Sequence, residues 1–486
     1  VLFSVVVLFL CAGILTPKEM LEGFSNKGMI TVALLFLVSE GIRQSGTLGQ
    51  VIKKLLPQGK TTVFKAQLRI LPSVAFISAF LNNTPVVVIF APIIKHWAKS
   101  VKLPATKFLI PLSYVTILGG ICTLIGTSTN LVVHGMILEA GYEGFTMFEL
   151  GKVGIFIAIA GIIYLFIFSK RLLPDARPDT AVPDEEVEEG EKLHRVEAVL
   201  GARFPGINKK LSDFNFQRHY GAEVKEIKTR NGQRYVDHLE DVVLREGDTL
   251  VVMADDTFIP TWGESSVFVL LTNGNDPDTS GKKKRWLALI LLVLMIVGAT
   301  VGELPATKEM FPDIKLDMFF FVCITTIIMA WTNIFPARKY TKYISWDILI
   351  TIACAFAISK AMVNSGVADC VAGFIIGLSD DYGPHVLLAI LFVITNLFTE
   401  LITNNAAAAL AFPLALSISA QLGVSPTPFF VVICMAASAS FSTPIGYQTN
   451  LIVQGIGNYK FTDFVRIGLP LNIITFLISV ILIPLI

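Results

Sequence analysis

Long apolar runs separated by short polar segments dominate the pattern of this 486-residue chain. An α-helix needs about 20 mostly apolar residues to cross the hydrocarbon layer of a membrane. The first run has neither the basic start nor the small-residue cleavage site of a signal peptide, so we interpret it as a trimmed membrane helix. The predicted spans are 1–16, 29–44, 105–137, 146–169, 285–302, 318–335, 346–362, 428–456 and 463–486.

Two further apolar stretches, 68–98 and 386–420, are interrupted by polar centres rich in asparagine. Lys and Arg collect in the cytoplasmic loops of membrane proteins. Both flanks of the first stretch are basic, in 43–69 and in 95–107, so both are predicted on the cytoplasmic side. A spanning helix would separate these flanks. The pattern therefore predicts a re-entrant hairpin that enters the membrane from the cytoplasm.

The second stretch has the opposite charge signature. Its flanks are Ser379-Asp380-Asp381 and the uncharged segment 421–423, which are predicted to lie outside. A basic cluster further upstream, Arg338, Lys339 and Lys342, is predicted inside. A second hairpin would then enter from the other face, as inverted repeats require.

Sequence identity between the halves supports this duplication. Thr123–Gly135 aligns with Thr443–Gly455, and eight of the thirteen positions are identical. The hairpin centres match as well, because a hydroxyl residue precedes the central Asn by five positions in both. These pairs are Ser78 with Asn83 and Thr399 with Asn404.

The middle of the chain differs in kind, because charged residues occur throughout 174–284. Alternating or buried-type patterns at 196–200, 222–228 and 249–253 predict strands, and Asn231-Gly232 is a typical hairpin turn. Basic residues flank the segment at both ends, which predicts a cytoplasmic position. The predicted organisation is a first membrane repeat at 1–173, a soluble insert at 174–284 and a second, inverted membrane repeat at 285–486.

The composition agrees with a membrane protein, since 53% of residues are hydrophobic and 16% are charged, whereas soluble domains contain about a quarter charged residues. The net charge of +1 gives no indication of a nucleic-acid partner. The six cysteines form no CxxC pair, and no HExxH, GxSxG or Walker motif is present. We therefore predict that the protein is not an enzyme and has no catalytic residues.

The polar chain breaks suggest the chemistry of a binding site. Irregular backbone inside a membrane is tolerated where it is buried or lines a cavity. A broken helix offers free N–H groups to an anion and free carbonyl groups to a cation. With oxygen atoms from Asn, Ser and Thr, two such tips are predicted to form two sodium sites that flank one anion site.

These motifs resemble the divalent anion/sodium symporter family. The resemblance rests on the hairpin tips at 82–84 and 403–405 and on the TxxGxxTN runs at 123–130 and 443–450. It implies an elevator-type carrier, usually dimeric, in which a hairpin-bearing transport domain moves against a scaffold. The implied anion site comprises Asn82, Asn83, Thr84, Thr403, Asn404, Asn405, Thr443 and Pro444. The implied sodium sites comprise Ser78, Asn83, Cys122 and Thr123 in one half, and Thr399, Asn404, Ser442 and Thr443 in the other.

Residues 193–262 resemble the TrkA C-terminal (RCK-C) domain of channel and transporter regulators. The resemblance implies a small α/β domain that binds a small-molecule regulator or forms a dimer contact, and an inert folded insert is the alternative. Symporters with such an insert are often linked to inorganic anions, so sulfate or another inorganic anion is favoured over a dicarboxylate.

The sequence thus predicts an all-α polytopic protein of the inner (plasma) membrane, in contact with lipid, that couples sodium to the symport of a divalent anion. Glu400 lies one helical turn before Asn404 and is a candidate coupling residue. Two alternatives remain open: a proton-coupled anion permease with Glu400 as its titrating group, and an arsenite-type metalloid-anion exporter. A channel is disfavoured, because the chain has no TVGYG-type filter.

Overall fold

A computed structural model of the chain describes residues 2–57, 59–175, 194–201, 203–229, 233–255, 258, 262, 267–272, 282–311, 314–336, 340–377 and 384–485. Several sequence predictions fall outside these residues: those on the acidic segment 379–381, on Arg338 and Lys339, and on the turn Asn231-Gly232.

The described chain is mostly helical, with a first group of helices before the insert and a second group after it. The first group comprises Leu2–Cys11, Pro17–Glu22, Lys27–Gln44, Thr47–Leu55, Val63–Ser78, Asn83–Ser100, Leu109–Gly120, Ser128–Glu139 and Gly151–Leu172. The second comprises Lys282–Gly302, Pro305–Met310, Met318–Trp331, Tyr340–Tyr343, Trp346–Asn364, Val367–Gly377, Pro384–Leu401, Asn404–Leu422, Thr427–Ser438, Gln448–Gly457 and Phe461–Leu482.

Four helix pairs form the centre of the protein, and we name them by their shape. Hairpin 1 consists of Val63–Ser78 and Asn83–Ser100, and hairpin 2 consists of Pro384–Leu401 and Asn404–Leu422. Broken helix 1 consists of Leu109–Gly120 and Ser128–Glu139, and broken helix 2 consists of Thr427–Ser438 and Gln448–Gly457.

These pairs interlock in the same way in both halves. The first arm of each hairpin packs against the first segment of the broken helix that follows it. The second arm of hairpin 1 packs against the second segment of broken helix 2, and the second arm of hairpin 2 packs against the second segment of broken helix 1. The largest hydrophobic core lies among these elements. Each half therefore completes the packing of the other.

Local sequence signals explain several helix ends. The Thr62 side chain accepts a hydrogen bond from the backbone N–H of Lys65 and caps hairpin 1, and Asp317 caps Met318–Trp331 in the same manner. Gly46 and Gly366, at matched positions in the two halves, have φ of +70° and +73°. Both turn the chain where a long helix ends and a shorter one begins.

Five helical segments are long and apolar enough to cross a membrane within the part of the chain that the structure describes. They are Pro17–Gln44, Gly151–Leu172, Lys284–Gly302, Asn404–Leu422 and Phe461–Leu485. A sixth candidate is the pair Ile348–Asn364 and Val367–Gly377, which is bent by 72°. With the apolar composition, these helices fit an integral membrane protein.

Three predicted spans differ from the observed helices. The segments 105–137 and 428–456 are each divided into two shorter helices, because polar side chains take over the backbone hydrogen bonds at the break. In 1–16 the helix ends at Cys11, since Gly13 has a φ of +72° and Thr16 begins the next helix as its N-cap.

The insert contains a five-stranded antiparallel sheet with its own hydrophobic core. The strands are β1 (His194–Leu200), β2 (Glu223–Lys228), β3 (Arg234–Tyr235), β4 (Thr249–Ala254) and β5 (Phe268–Thr272), in the order β3-β2-β4-β1-β5. All three predicted strand patterns lie on observed strands. The predicted domain boundaries remain predictions.

Strand β1 brings the insert into contact with the helical part of the protein. Glu197 on β1 accepts hydrogen bonds from Lys95 Nζ of hairpin 1 at 2.9 and 3.0 Å. Lys228 Nζ on β2 lies 3.3 Å from the same carboxylate. β1 also packs against the second segment of broken helix 2. The insert therefore contacts one central element from each half.

Candidate functional site

The tip of hairpin 1 holds a buried cluster of three oxygen atoms. Ser78 Oγ lies 2.8 Å from Asn83 Oδ1 and 2.9 Å from the carbonyl oxygen of Thr116. Ser78, Asn83 and Thr116 are each 0% exposed. One hydroxyl proton serves these three oxygens, so at least one oxygen keeps a lone pair directed into the cluster.

Hairpin 2 has the same cluster at matched positions. Thr399 Oγ1 lies 2.8 Å from Asn404 Oδ1 and 2.6 Å from the carbonyl oxygen of Ala437. The structure thus brings together the hydroxyl and amide pair that the sequence predicted in each half. The sequence analysis did not predict the carbonyl groups of Thr116 and Ala437. Each follows the hydroxyl residue that it contacts by the same number of positions, and this repeated spacing could have indicated them.

The TxxGxxTN runs hold the hairpin tips through their first threonine. Thr123 Oγ1 donates to the carbonyl oxygen of Ala79, and Thr443 Oγ1 donates to that of Glu400 at 3.1 Å. In the same runs the side-chain amide of Asn130 donates to Thr123 O at 2.9 Å. Asn450 makes the equivalent bond to the carbonyl oxygen of Thr443 at 3.2 Å. Each unwound segment is therefore fixed to the tip of its own hairpin.

Polar residues at the tips also bond across the two halves. Thr84 Oγ1 lies 3.4 Å from Gln448 Oε1 at the start of the second segment of broken helix 2. In the matched contact, Asn405 Oδ1 accepts hydrogen bonds from Ser128 Oγ at 3.3 Å and from Thr129 Oγ1 at 3.2 Å. The two tips and the two breaks therefore meet in one polar region, which is buried at Asn405 and reaches the surface at Gln448.

Tyr447 lies at the centre of this region. Asn83 Nδ2 donates to its hydroxyl oxygen at 2.6 Å, and Thr127 Oγ1 lies 3.1 Å from the same atom. The side chain of Asn404 also lies beside this hydroxyl. The two hairpin tips therefore meet at one residue. Sequence reasoning did not single out Tyr447, although its alignment with Thr127 marks a departure from the repeat.

Glu400 occupies a nest of donors beside the second tip. Its carboxylate accepts hydrogen bonds from the backbone N–H groups of Ser442 and Thr443, both at 2.8 Å. Asn472 Nδ2 donates to the same carboxylate at 2.8 Å. The sequence analysis did not predict this contact, although Asn472 is a polar residue within an apolar run. The first half has Ala79 at the matched position and thus no equivalent carboxylate.

The other predicted residues lie at different depths. Asn82 lines a small recess together with Ser39, Phe80 and Ser128. Thr403 is exposed at the tip of hairpin 2, and Pro444 is buried. The thiol of Cys122 donates to the carbonyl oxygen of Leu118 within its own helix. The hydrogen bond of the Cys122 thiol therefore stays within its own helix.

Comparison with known proteins identifies similar transporters. The chain is 30% identical to an uncharacterized transporter of Synechocystis sp., over 99% of this chain and 92% of that protein. It is 22% identical to a probable sodium/sulfate cotransporter 3 of Chlamydomonas reinhardtii, over 95% of this chain and 82% of that protein. A sodium-dependent dicarboxylate transporter of Staphylococcus saprophyticus is 25% identical over 30% of this chain and 28% of its own length.

The family match extends over the whole chain in two overlapping segments, 1–416 and 307–486. Both central motifs of each half lie within the matched residues. Three observations indicate a membrane transporter: the mostly helical architecture, the helices suited to a membrane and the transporter relatives. The chain belongs to the citrate transporter family and is an integral membrane transporter.

Proposed function

We propose that this protein is a secondary active transporter that couples sodium to the symport of a divalent anion, with sulfate or another inorganic anion as its cargo. The observation that carries the proposal is the matched pair of buried oxygen clusters at the two hairpin tips. The sodium/sulfate and sodium/dicarboxylate transport named for two relatives supports the same class of cargo.

The chemistry of the two clusters suits sodium. Hard cations prefer oxygen ligands, and each cluster offers a hydroxyl, an amide and a carbonyl oxygen. We assign one sodium ion to Ser78, Asn83 and Thr116, and the other to Thr399, Asn404 and Ala437. Thr123 and Thr443 hold the neighbouring backbone against each cluster.

The region between the clusters suits an anion. Each central asparagine uses its Oδ1 atom within its oxygen cluster, so its side-chain N–H groups face the space between the tips. Hydroxyl groups of Thr84 and Ser128 and the amide group of Asn405 lie around the same region. Hydrogen bonds to an anion are stronger than those between neutral groups. Two adjacent sodium ions would neutralise the charge of a divalent anion.

The matched hydrogen bonds support inverted repeats with re-entrant hairpins as the architecture. In this arrangement the hairpins and broken helices form the transport domain. The helices Lys27–Gln44 and Lys282–Gly302 belong to the scaffold and line the recess beside Asn82. The transport domain carries its cargo across by an elevator motion, and the protein works as a homodimer.

Uptake into proteoliposomes tests the function. With an inward sodium gradient, labelled sulfate is expected to accumulate, and replacing sodium by potassium or choline should abolish the accumulation. The same vesicles with labelled succinate compare the two cargo classes, and empty liposomes are the control. Absence of gradient-driven flux for sulfate, succinate and related small anions would contradict the proposal.

The hydrogen bonds of Glu400 favour one further candidate, the proton-coupled permease. Its carboxylate touches the backbone at Ser442 and Thr443, where proton binding would change the second tip. In the proposal favoured here, Glu400 holds this backbone in place and does not exchange a proton in each cycle.

We assign the insert a regulatory role as an RCK-C-like domain on the cytoplasmic side. Its β1 strand contacts hairpin 1 and broken helix 2, two elements of the proposed transport domain. A regulator that binds the insert can therefore stabilise or destabilise a conformation of the transport domain through these contacts.

The pKa of Glu197 reflects its position between two lysines. Burial raises this pKa, but the adjacent Lys95 and Lys228 ammonium groups have the larger effect and lower it from 4.5 to about 2.

Removing this carboxylate charge is expected to release the insert. Glu197→Gln removes the carboxylate that Lys95 and Lys228 share, while Glu226 stays 3.8 Å from Lys228 Nζ. Breaking one partner of a buried ion pair costs about 3–5 kcal/mol. Hydrogen exchange of β1 and of Gln448–Gly457 should rise. The exposed Lys210–Asp241 pair provides the control, and Lys210→Ala should leave exchange in β1 unchanged. Equal protection in Glu197→Gln and wild type would contradict the docking role.

The lowered pKa of Glu197 also gives the contact a defined pH dependence. A carboxyl group with a depressed pKa stabilises the folded state above its unfolded pKa, and this contribution is lost as pH falls through the folded value. Protection of β1 is therefore expected to be constant above about pH 5 and to decline between pH 4.5 and about 2. Glu197→Gln should remove this decline.

A further inference from the structure

The hydroxyl oxygen of Tyr447 occupies a position where donors from both halves converge. Asn83 Nδ2 donates to it at 2.6 Å, and the side chain of Asn404 lies beside the same atom. Both asparagines are oriented by hydroxyl groups of their own clusters, at 2.8 Å in each case. Their N–H groups therefore point to one shared place, which is the arrangement that an oxygen of a bound anion requires.

The repeat makes this position asymmetric. Thr127 is the matched residue of the first half, and its short side chain does not reach across the site. Tyr447 does, because its phenol ring extends far enough to place the hydroxyl 3.1 Å from Thr127 Oγ1. The aromatic ring therefore fills space that two short hydroxyl residues would leave open between the tips.

The neighbouring backbone holds Tyr447 in this position. A Cβ atom on Gly446 would lie 2.0 Å from Ser440 Oγ and 2.5 Å from the carbonyl oxygen of Thr399. This close approach fixes the chain immediately before Tyr447 against hairpin 2. The tyrosine side chain itself is 9% exposed. Its ring therefore has little room to withdraw from the space between the tips.

We propose that Tyr447 determines the size of the transported anion and donates a hydrogen bond to it. A compact oxyanion such as sulfate carries its oxygens on one atom and fits against one group of converging donors. A four-carbon dicarboxylate has two carboxylate groups separated by a chain, and it needs the space that the ring occupies. This inference rests on the proposed anion transport and assigns its selectivity to one residue.

Competition on the wild-type protein provides the first test. Uptake of labelled sulfate is measured with an excess of unlabelled thiosulfate, selenate, malonate or succinate. The tetrahedral anions are expected to inhibit uptake, and inhibition should fall from malonate to succinate as chain length increases. Inhibition by succinate as strong as that by selenate would overturn the proposal without any variant.

Substitution of the ring provides the second test. Tyr447→Thr restores the residue of the first half, and the ratio of succinate to sulfate uptake is expected to rise by at least about tenfold, a typical effect of a change in pocket size. Tyr447→Phe keeps the ring and should keep the ratio, while its KM for sulfate rises because one donor is lost. Tyr142→Thr, at an exposed tyrosine, is the matched control.

The outcomes distinguish this inference from the proposed function. A wild-type protein without sodium-driven uptake of any anion contradicts the proposed function itself. Sodium-driven sulfate uptake with an unchanged succinate ratio in Tyr447→Thr contradicts only the role of Tyr447. If Tyr447→Thr does not fold, the wild-type competition series and the sulfate KM of Tyr447→Phe decide the question, and an unchanged KM counts against the hydrogen bond.

Discussion

Asn404→Ala is expected to lower the kcat/KM of sodium-driven sulfate uptake by at least about 100-fold, the largest effect among the variants considered. A hydrogen bond to a charged group contributes about 1.5–3 kcal/mol, and each 1.4 kcal/mol changes affinity about tenfold. The proposed function gives Asn404 two such roles, because its Oδ1 belongs to an oxygen cluster and its amide group lies beside Tyr447, at the proposed anion site. Asn83→Ala should behave in the same way, since it makes the matched contacts.

Two further substitutions separate the roles of Asn404. Asn404→Asp keeps an oxygen for sodium but replaces the N–H donors by a negative charge, so sodium binding should persist while sulfate binding is lost. Thr399→Ala removes one cluster oxygen, and the sodium dependence of uptake should shift to higher concentrations, with Thr399→Ser restoring it. Asn364→Ala is the matched control, because Asn364 bonds the carbonyl oxygen of Ile14 and the side chain of Glu19. Normal uptake by Asn404→Ala would remove the basis of the proposed function.

Glu400→Ala is expected to have the second largest effect, a loss of both stability and transport. The substitution leaves the backbone N–H groups of Ser442 and Thr443 without their acceptor, and the Asn472 amide keeps only its hydrogen bond to Ser442 Oγ at 2.9 Å. Each unsatisfied buried group costs about 1–3 kcal/mol, so the unfolding temperature of the purified protein should fall clearly. Glu143→Ala, at an exposed carboxylate, should leave the unfolding temperature unchanged.

Glu400→Gln distinguishes this structural role from proton coupling. The glutamine retains one oxygen acceptor, so part of the stability should return, and uptake should keep its dependence on sodium. A proton-coupled permease would instead lose its pH-driven uptake in this variant while the sodium gradient remained without effect. Flux measured with separate sodium and proton gradients in wild type and Glu400→Gln therefore decides between the two mechanisms.

The sequence determined the class of the protein and the positions of its central motifs. Apolar runs indicate membrane helices because their length must match the hydrocarbon layer, and the family match agrees with a membrane transporter. The strands of the insert could be predicted for a similar reason, because apolar and polar residues alternate in a strand whose sheet has two different faces. The paired hydroxyl and asparagine residues were also visible, because a duplicated chain preserves their spacing of five residues.

The partners of these residues depended on the tertiary structure. Thr116 and Ala437 contribute backbone carbonyl groups, and a carbonyl leaves no trace in residue type. The resemblance also implies backbone ligands near Cys122-Thr123 and Ser442-Thr443, and these remain predictions. The backbone N–H groups of Ser442 and Thr443 donate to the Glu400 carboxylate.

Contacts between distant parts of the chain could not be predicted from the sequence either. Tyr447 meets Asn83 across 364 positions of sequence, and Lys95 meets Glu197 across 102. Such contacts depend on how packed elements are oriented, and no local pattern encodes that orientation. The sequence alone therefore determined that two polar chain breaks exist and resemble each other. Only the packing of each hairpin against the other half's broken helix decided that they meet in one polar region and that a tyrosine lies at its centre.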